Sequence, residues 1–475
     1  MTFALGLPFA RFRLALVLAL PIAASCDVKP AERVCTIAPQ QADFRLVAAG
    51  TEFHDSLGRV VFLRGVDAGG RSKFAPYLPF DFGSDFQGSL AKYMDRAASW
   101  GIDVMRVPFT WAALEPVQGQ DDAQWLARYD AIIDAAWARG IWSVIDFHQD
   151  VYSENLCGDD FPGWTLSNPP APHHDCPQWQ FEYFNDDGVK VAFDAFWAPS
   201  SPVMTAYMAM WDRMIARYKD KPGVLGFEPI NEPGWGSADP NAFSAGALSA
   251  FYAQIVPHMR GLAPASLVFV DPVGLDGISQ TTSLARPPGD GVVFAPHFYP
   301  LTNNPDAVLD DMMRWRDVGA AWKAPTFVGE FGASHDFEST LPLMRGVFDS
   351  FDALGMSGSE WEYSVAAEPW NSESDSIVAG DGTEYPVAQA VIRPFARAVS
   401  GSSIAGGFDA STSTYTLAFT PGANVTVISL PARAYPSGFD VSLEGACYDA
   451  TSVPGQMLVQ PDDGATKVTL VVTPR

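Results

Sequence analysis

Short apolar runs alternate with helical stretches between residues 60 and 364, and this alternation restricts the fold more than any other feature of the chain. The intervening segments, such as 89–100, 122–140 and 202–220, place apolar residues three and four apart, as in amphipathic helices. The runs are apolar throughout, which is typical of parallel strands buried on both faces. The strand candidates are 60–67, 102–109, 141–148, 224–232, 266–272, 292–299, 325–332 and 358–364.

Eight strand–helix units in succession predict an α/β protein with a (β/α)8 TIM barrel. A doubly wound open sheet is the alternative, but it would expect a glycine-rich phosphate turn after an early strand, and the sequence has none there. Helical periodicity stops near residue 400, and polar and apolar residues then alternate, which predicts a C-terminal antiparallel β-sandwich. The predicted domains are therefore a barrel at 46–399 and a β-sandwich at 400–475.

The N-terminus is typical of a targeting signal. Arg11 and Arg13 precede the apolar stretch 14–25, which is too short to span a bilayer and is followed by Cys26. The segment resembles a bacterial lipoprotein signal, in which the cysteine is lipidated; an ordinary signal peptide is the alternative. We predict a signal peptide at 1–26, a linker at 27–45, and a secreted or membrane-anchored extracytoplasmic protein.

The remaining cysteines, Cys35, Cys157, Cys176 and Cys447, are even in number, which suits an oxidising compartment. Four cysteines allow three pairings. We favour Cys157 with Cys176, which bracket one loop, and Cys35 with Cys447, which would join the N-terminal segment to the C-terminal domain. No CxxC pair occurs, so a metal site at these cysteines is disfavoured.

The net charge and the aromatic content limit the classes of molecule that the protein is expected to bind. The net charge of -25 argues against nucleic acid, because phosphate recognition requires basic patches. Aromatic residues make up 13% of the chain, and many of them occur in the long segment 151–200 after the third strand. A loop of this length and content is expected to have a function, either as part of a sugar or lipid cleft or as a self-packed lid.

Chemically active residues stand at or near the ends of the predicted strands, and in a barrel these ends meet at one mouth. Glu232 and Glu330 are the most informative of them, because a pair of carboxyl groups across a pocket is what cleavage of a glycosidic bond requires. The set comprises Arg106, His148, Asp150, Asn231, Glu232, His297, Tyr299, Glu330 and Trp361.

This set, with Pro233 after Glu232, resembles the active site of family 5 glycoside hydrolases in both order and strand placement. Within that family, the HQDVYSE stretch at 148–154 and the C-terminal β-domain resemble endoglycoceramidases, which release an intact glycan from a glycosphingolipid. The resemblance covers residues 55–475 and implies a glycan or glycolipid substrate. The loop after the first strand, at 65–80, matches this subfamily only loosely.

The resemblance implies a role for each residue. Glu232 would be the general acid/base, carrying a proton at neutral pH, and Glu330 would be the ionised nucleophile, supported by Arg106 and Tyr299. Asn231 would contact the sugar 2-hydroxyl. Double displacement with retention requires the two carboxyl groups to lie about 5–5.5 Å apart and needs no metal or cofactor. The remaining sugar-binding candidates are His148, Asp150, His297, Trp361 as a stacking wall, and Lys73 as a weaker contact.

Glu228 and Glu362 are expected to be structural, because one would lie deeper in the barrel than Glu232 and the other would point away from Trp361. Three further hypotheses remain open on the sequence. They are a cellulase- or mannanase-like polysaccharide hydrolase, a steryl or other lipid β-glucosidase, and a carbohydrate-binding lipoprotein without activity. The presence of both Glu232 and Glu330 disfavours the last.

Overall fold

The computed structural model of the chain describes residues 33–302 and 304–475. The predicted signal peptide, Cys26 and the first residues of the predicted linker lie outside these ranges. Among the helices of the described ranges, none is both long enough and apolar enough to cross a bilayer.

The predicted TIM barrel is confirmed: within the described residues, eight parallel strands form a nearly closed ring. The first strands of the chain, β1 (Val47–Ala49), β2 (Glu52–His54) and β3 (Val60–Val61), lie outside it. The ring follows the order β11-β13-β4-β5-β6-β7-β8-β9, and β10 and β12 pair in parallel beside the point of closure. The strands are β4 (Arg64–Asp67), β5 (Val104–Phe109), β6 (Trp142–Phe147), β7 (Val224–Glu228), β8 (Leu267–Val270), β9 (Val292–Phe294), β10 (His297–Phe298), β11 (Phe327–Val328), β12 (Glu330–Phe331) and β13 (Ser357–Glu360).

Helices cover the outside of the ring, and the three helical segments named from the sequence all form. These three segments each begin at a side-chain cap: the Asp122 carboxylate, for example, accepts hydrogen bonds from the N–H groups of Gln124 and Trp125 at the start of the helix Ala123–Trp137. The helices are α1 (Phe86–Trp100), α2 (Trp111–Leu114), α3 (Ala123–Trp137), α4 (Glu182–Asn185), α5 (Asp187–Trp197), α6 (Pro202–Tyr218), α7 (Pro240–Phe243), α8 (Ser249–Leu262), α9 (Asp276–Ser279), α10 (Val308–Trp322), α11 (Thr340–Leu354) and α12 (Ala388–Val391).

The C-terminal strands form two antiparallel sheets that pack face to face, as the sandwich prediction requires. One sheet has the order β1-β2-β3-β14-β17-β20-β19 and the other β15-β16-β21-β18. Ile428 and Met457 from the first sheet share a core with Leu417 and Leu470 from the second. The strands are β14 (Phe395–Val399), β15 (Gly401–Asp409), β16 (Thr414–Pro421), β17 (Thr426–Ser429), β18 (Phe439–Glu444), β19 (Ala446–Asp449), β20 (Gln456–Pro461) and β21 (Val468–Pro474).

The barrel begins later and ends earlier in the chain than the sequence predicted. The run 60–67 is two strands, because β3 pairs with β14 of the sandwich while β4 pairs with β5 and β13 of the ring. Residues 47–61 and 395–399 therefore belong to the sandwich, although they were predicted to belong to the barrel. The described part of the predicted linker also packs on the sandwich, where the Cys35 N–H donates to the Tyr448 carbonyl at 2.9 Å. A short apolar run cannot by itself reveal which of two sheets it joins.

Candidate active site

Arg106 in β5 is the centre of a buried ion-pair network beneath the mouth of the barrel. Its Nε and Nη2 donate to the two oxygens of Glu228 at 2.8 and 2.9 Å, and its Nη1 donates to Glu330 Oε1 at 2.6 Å. Nη2 also lies 2.8 Å from Asn231 Oδ1 and 3.0 Å from Asp146 Oδ2. Burial alone would lower the pKa of Arg106, but these carboxylates raise it well above its usual range. The guanidinium is therefore a fixed positive charge.

Glu330, at the start of β12, is the carboxyl group that this environment keeps ionised. Arg106 donates to its Oε1, and the Tyr299 hydroxyl donates to its Oε2 at 3.0 Å. Burial would raise the pKa of Glu330, but the positive charges of His297, Arg106 and His148 together lower it to about 2. An ionised, hydrogen-bonded carboxylate at this position has the form that a nucleophile requires.

Glu232 lies four residues beyond the end of β7, in a turn rather than in the strand that the sequence predicted. Its φ of 36° is in the left-handed region, which non-glycine residues adopt only when other contacts hold them there. Its N–H donates to Asp271 Oδ2 at 2.7 Å, and its Oε1 lies 2.8 Å from His297 Nδ1. The side chain is 16% exposed, compared with 6% for Glu330, so Glu232 is the carboxyl group that a leaving group can reach more easily.

The two glutamates face each other. A carboxyl oxygen of Glu232 and one of Glu330 lie within 4.8 Å, with the His297 ring in contact with both. Retaining glycosidases hold their two carboxyl groups about 5–5.5 Å apart, whereas inverting enzymes separate them by about 6.5–9.5 Å to admit a water molecule. An approach this close is shorter than the inverting separation and agrees with the predicted retaining arrangement.

His148 and Trp361 form one edge of the mouth. Their rings stack with centroids 4.9 Å apart and an interplanar angle of 5°. His148 Nδ1 lies 2.8 Å from Asp146 Oδ2, and this neighbour raises the pKa of His148 although burial would lower it. His148 Nε2 is buried and has no hydrogen-bond partner within the described residues; it lies 3.6 Å from Asp150 Oδ2. That nitrogen is available for a substrate hydroxyl.

Lys73, which the sequence predicted only as a weaker contact, is firmly held in the site. Its Nζ donates to Asp150 Oδ2 at 2.6 Å and lies over three indole rings. The distances from Nζ to the ring centroids are 4.2 Å for Trp370, 4.5 Å for Trp361 and 5.3 Å for Trp179. An ammonium group in such a cage is fixed in position and can donate to sugar oxygens through its remaining protons.

Glu232, Glu330, Lys73, Asp150 and Trp361 are among the residues that line a cleft of about 250 Å³, and two opposite sides of this cleft differ in polarity. Lys73, Glu373 and Asp375 come from the loops after β4 and β13, which are neighbours in the ring. Trp235 and the pair Leu275 and Ile278 come from the loops after β7 and β8, on the opposite side of the ring. The cleft thus has a polar side and an apolar side, and the two catalytic candidates lie in its lining.

Every candidate site residue lies at this mouth, with Asn231 held from two directions: Arg106 donates to its Oδ1, and its Nδ2 donates to the Gln149 carbonyl at 2.9 Å. Asp271 was not predicted from the sequence, although it stands at the end of the strand candidate 266–272, where the other site residues were sought. Trp370, Glu373 and Asp375 were not predicted either, because they lie in the irregular segment after β13, where no periodic pattern marks them.

Glu228 and Glu362 lie where the sequence predicted. Glu228 is fully buried beneath the site and is bound by Arg106. Glu362 is not part of the cleft lining; its carboxyl group packs against Gly70 and accepts a hydrogen bond from the Ser364 hydroxyl. Burial raises the pKa of Glu362 to about 7, although Ser364 and Lys73 act in the opposite direction.

We expect Glu362→Gln to stabilise the protein at alkaline pH and to leave its stability nearly unchanged at pH 4. The folded pKa of Glu362 is raised above the ordinary 4.5, so its contribution to stability is complete below that pH and is lost as the pH rises to about 7. The variant should gain up to about 3 kcal/mol in free energy of unfolding above pH 7. Urea unfolding at pH 4, 6 and 8 measures this difference, and a gain that does not change with pH would contradict it.

The structure pairs Cys157 with Cys176 and Cys35 with Cys447, the pairing favoured from the sequence. The first disulfide lies beside the cleft. Asn371 joins it to the loop after β13, because its Nδ2 donates to the Cys157 carbonyl at 2.9 Å and its Oδ1 accepts from the Cys176 N–H at 3.0 Å. The segment that carries Trp179 is thereby held against the site.

Removing this disulfide is expected to weaken substrate binding more than it slows the chemical step. In Cys157→Ser/Cys176→Ser, KM should rise about tenfold, which corresponds to about 1.4 kcal/mol, with a smaller change in kcat. The matched control is Cys35→Ser/Cys447→Ser, whose disulfide links residue 35 to β19 of the sandwich. Steady-state kinetics of both variants test this; an equal rise of KM in the control would mean that the effect is general loosening of the fold.

Both domains of the chain match known protein families. Residues 66–366 match the family described as cellulase (glycosyl hydrolase family 5), and residues 393–472 match the glycoside hydrolase family 5 C-terminal domain. The first match covers more than half of the chain.

Individual relatives share most of the chain. Endoglycoceramidase I of Rhodococcus hoagii is 26% identical over 459 residues, which is 90% of this chain and 88% of that enzyme. Endo-glycoceramidase II from Rhodococcus sp., solved as a lactosyl-enzyme intermediate, is 26% identical, with a TM-score of 0.74 over 89% of this chain and 99% of the other. The same enzyme solved as a ganglioside GM3 complex is 25% identical, with the same TM-score and the same coverage.

Proposed function

Because the chain belongs to glycosyl hydrolase family 5, we propose that it is a retaining endo-β-glycosidase that hydrolyses the bond between the glycan and the ceramide of a glycosphingolipid. The observation that carries the proposal is the pair Glu232 and Glu330, whose carboxyl oxygens lie within 4.8 Å across a cleft with one polar and one apolar side.

The geometry accounts for both steps of a double displacement. In the first, the Glu330 carboxylate attacks the anomeric carbon while Glu232 gives its proton to the departing oxygen of the aglycone. In the second, Glu232 takes a proton from water, the water oxygen bonds to the anomeric carbon, and Glu330 is released as a carboxylate. The anomeric carbon is inverted twice, so the product keeps the β configuration.

Other residues hold the sugar during these steps. Asn231 has one Nδ2–H not used by Gln149 and can donate to the 2-hydroxyl, a bond that strengthens as positive charge develops on the ring. His148 Nε2 and the Lys73–Asp150 pair offer donors and acceptors to the remaining hydroxyls. Trp361 supplies an apolar face for the sugar ring beside them.

The apolar side of the cleft supports a lipid aglycone. Leu275 and Ile278 line it together with Trp235, which packs against the Phe184 ring at 5.1 Å between centroids. Phe184 is 46% exposed and Phe181 is 56% exposed, so apolar surface continues outward from the cleft. A soluble polysaccharide would present hydroxyl groups to this side, and a ceramide would present methylene groups.

The test is product analysis with two substrates that carry a ceramide aglycone and one polysaccharide that does not. The purified protein is incubated with lactosylceramide, ganglioside GM3 and a soluble β-1,4-glucan, and Glu330→Gln serves as the inactive control. We expect free lactose or sialyllactose together with ceramide, with the β anomer of the sugar appearing first in the NMR spectrum. Release from the glucan alone would replace the proposal by a polysaccharide hydrolase, and an initial α anomer would exclude retention.

We further propose that Cys26 is lipidated and attaches the enzyme to a membrane outside the cytoplasm. The apolar stretch after Arg13 and the small residues before Cys26 support this, as does the use of the other four cysteines in disulfides. Expression of the full chain in a bacterial host, with Cys26→Ala as the control, tests it. We expect the full chain to be recovered in the membrane fraction and its N-terminal peptide to carry fatty acids. If the full chain and the Cys26→Ala variant were recovered in the membrane fraction to the same extent, the proposal would be wrong.

A further inference from the structure

Asp271 lies directly behind the acid/base carboxyl group. It follows β8, the fifth strand of the ring, and its side chain is almost completely buried. Its Oδ2 accepts the Glu232 N–H at 2.7 Å, and the same oxygen lies 3.4 Å from His297 Nε2. One carboxylate therefore contacts both the backbone of Glu232 and the histidine that touches its side chain.

The backbone contact bears on the conformation of Glu232. A left-handed φ of 36° is unfavourable in a glutamate, and a hydrogen bond from its own N–H to the buried Asp271 carboxyl group offsets part of that strain. The same loop approaches the side chain as well, since a Cβ on Gly274 would lie only 2.5 Å from Glu232 Oε2. The segment 271–274 thus fixes the backbone and the carboxyl group of Glu232 together.

His297 connects this loop to both catalytic glutamates. Its Nδ1 lies 2.8 Å from Glu232 Oε1 and 3.5 Å from Glu330 Oε2, while its Nε2 faces Asp271. The Trp315 Nε1–H donates to the His297 carbonyl at 3.0 Å, which fixes the backbone. With Nδ1–H directed at Oε1 of Glu232, the proton of the protonated acid is left to Oε2.

The charged groups around the His297 ring come from several strands. Asp271, Glu232 and Glu330 contact it, and the carboxyl groups of Glu228 and Asp67 also interact with it electrostatically. Arg106 is the counter-charge of Glu228 and Glu330. Burial would lower the pKa of His297, but Asp271, Glu330 and Glu232 raise it to about 10. Burial raises the pKa of Asp271 well above its usual range, and the positive charge of His297 acts in the opposite direction.

On the basis of the proposed function, we infer that Asp271 is a positioning residue for the acid–base step. It fixes the backbone of Glu232 and holds His297 with Nδ1–H directed at the Glu232 carboxyl group. When Glu232 gives its proton to the departing oxygen, Nδ1–H donates to the carboxylate that results. When Glu232 takes a proton from water, the same bond returns its Oε1 to the starting position.

Two substitutions separate the contacts of Asp271 Oδ2 from the ionisable carboxyl group. Asp271→Ala removes both contacts, whereas Asp271→Asn keeps an oxygen that can accept the Glu232 N–H and face His297 but cannot carry a negative charge. The substrates are aryl β-lactosides with a phenol leaving group, which needs a proton to depart, and with a 2,4-dinitrophenol leaving group, which does not.

For Asp271→Ala, kcat/KM for the phenyl lactoside should fall by about 10²-fold, the size of a lost general-acid contribution, and should fall less than about threefold for the dinitrophenyl lactoside. For Asp271→Asn, most of the phenyl lactoside activity should return at acidic pH. The alkaline limb of its pH profile should lie at least about one pH unit lower, because His297 loses its proton more readily.

An equal loss with both leaving groups, or an Asn variant with an unchanged pH profile, would overturn the inference. The Asn variant has the size of the natural side chain, so it gives a result even where the Ala variant does not fold. The unmodified protein tests the proposed function separately, because activity towards the aryl lactosides and glycosphingolipids is measured before any variant is compared.

Discussion

Glu330→Gly is expected to lower kcat by at least about 10⁴-fold with every substrate, because the carboxylate that bonds to the anomeric carbon is gone. The groups proposed to hold the sugar, Asn231, the Lys73–Asp150 pair and Trp361, make no hydrogen bond to Glu330 and should keep the binding of the sugar largely intact. The loss should therefore appear in kcat rather than in KM. Initial rates with aryl lactosides of good and poor leaving groups measure it.

Added azide turns this loss into a test of which glutamate is which. In Glu330→Gly, azide can occupy the space of the lost carboxylate and attack the anomeric carbon once, which yields the α-lactosyl azide. In Glu232→Gly, the nucleophile is present, azide attacks the glycosyl-enzyme, and the β-lactosyl azide is expected. NMR of the two products decides the assignment. The β azide from the Glu330 variant, or the α azide from the Glu232 variant, would reverse the two roles.

Replacement of Arg106 by methionine is expected to be the most destabilising of the substitutions described. The guanidinium is completely buried and contacts Glu228, Glu330 and Asp146, so its removal leaves buried carboxylates without a counter-charge. The free energy of unfolding should fall by about 3–5 kcal/mol. The pKa of Glu330 should rise, so the acidic limb of kcat/KM should move to higher pH. Urea unfolding and a pH–rate profile measure the two effects.

A second substitution distinguishes the two consequences of losing Arg106. In Arg106→Met/Glu228→Gln, one of the uncompensated charges is also removed, so part of the lost stability should return. The acidic limb of the pH–rate profile should stay shifted, because Glu330 still lacks its donor at Oε1. The losses of unfolding free energy in the two single variants are added and compared with the loss in the double variant. A loss in the double variant that equals or exceeds this sum would mean that Arg106 does not stabilise a charge on Glu228.

Much of the site can be predicted from one rule about parallel strands. Residues at or near the carboxyl ends of successive strands in a barrel converge, and this rule predicts from the sequence that Arg106, His148, Glu232 and Glu330 lie close together. The same rule selects Asp271 at the end of the fifth strand, although it was not among the predicted residues. Trp370 could not be found this way, because its segment has no periodic pattern to relate it to Lys73.

The extent of the barrel was harder to predict than its existence. The run 60–67 is apolar throughout, and a pattern of apolar residues does not record which strand will lie beside each half of it. In the structure, β3 pairs with β14, more than 300 residues later in the chain, while β4 enters the ring. Hydrogen bonding between distant strands therefore decides the boundary.

By itself, the sequence determined that parallel strands would form a barrel and that two carboxyl groups would stand at its mouth, because both depend on local periodicity and on the order of residues along the chain. The family resemblance implied which carboxyl group is ionised, but the local sequence contains no cause for the difference. Glu232 and Glu330 are chemically the same, and what separates them is the set of groups that folding brings near each of them. Glu330 receives the charges of His297, Arg106 and His148, and the Glu232 N–H donates to Asp271. Such interactions act through space over a few ångströms, so only the tertiary structure could assign them.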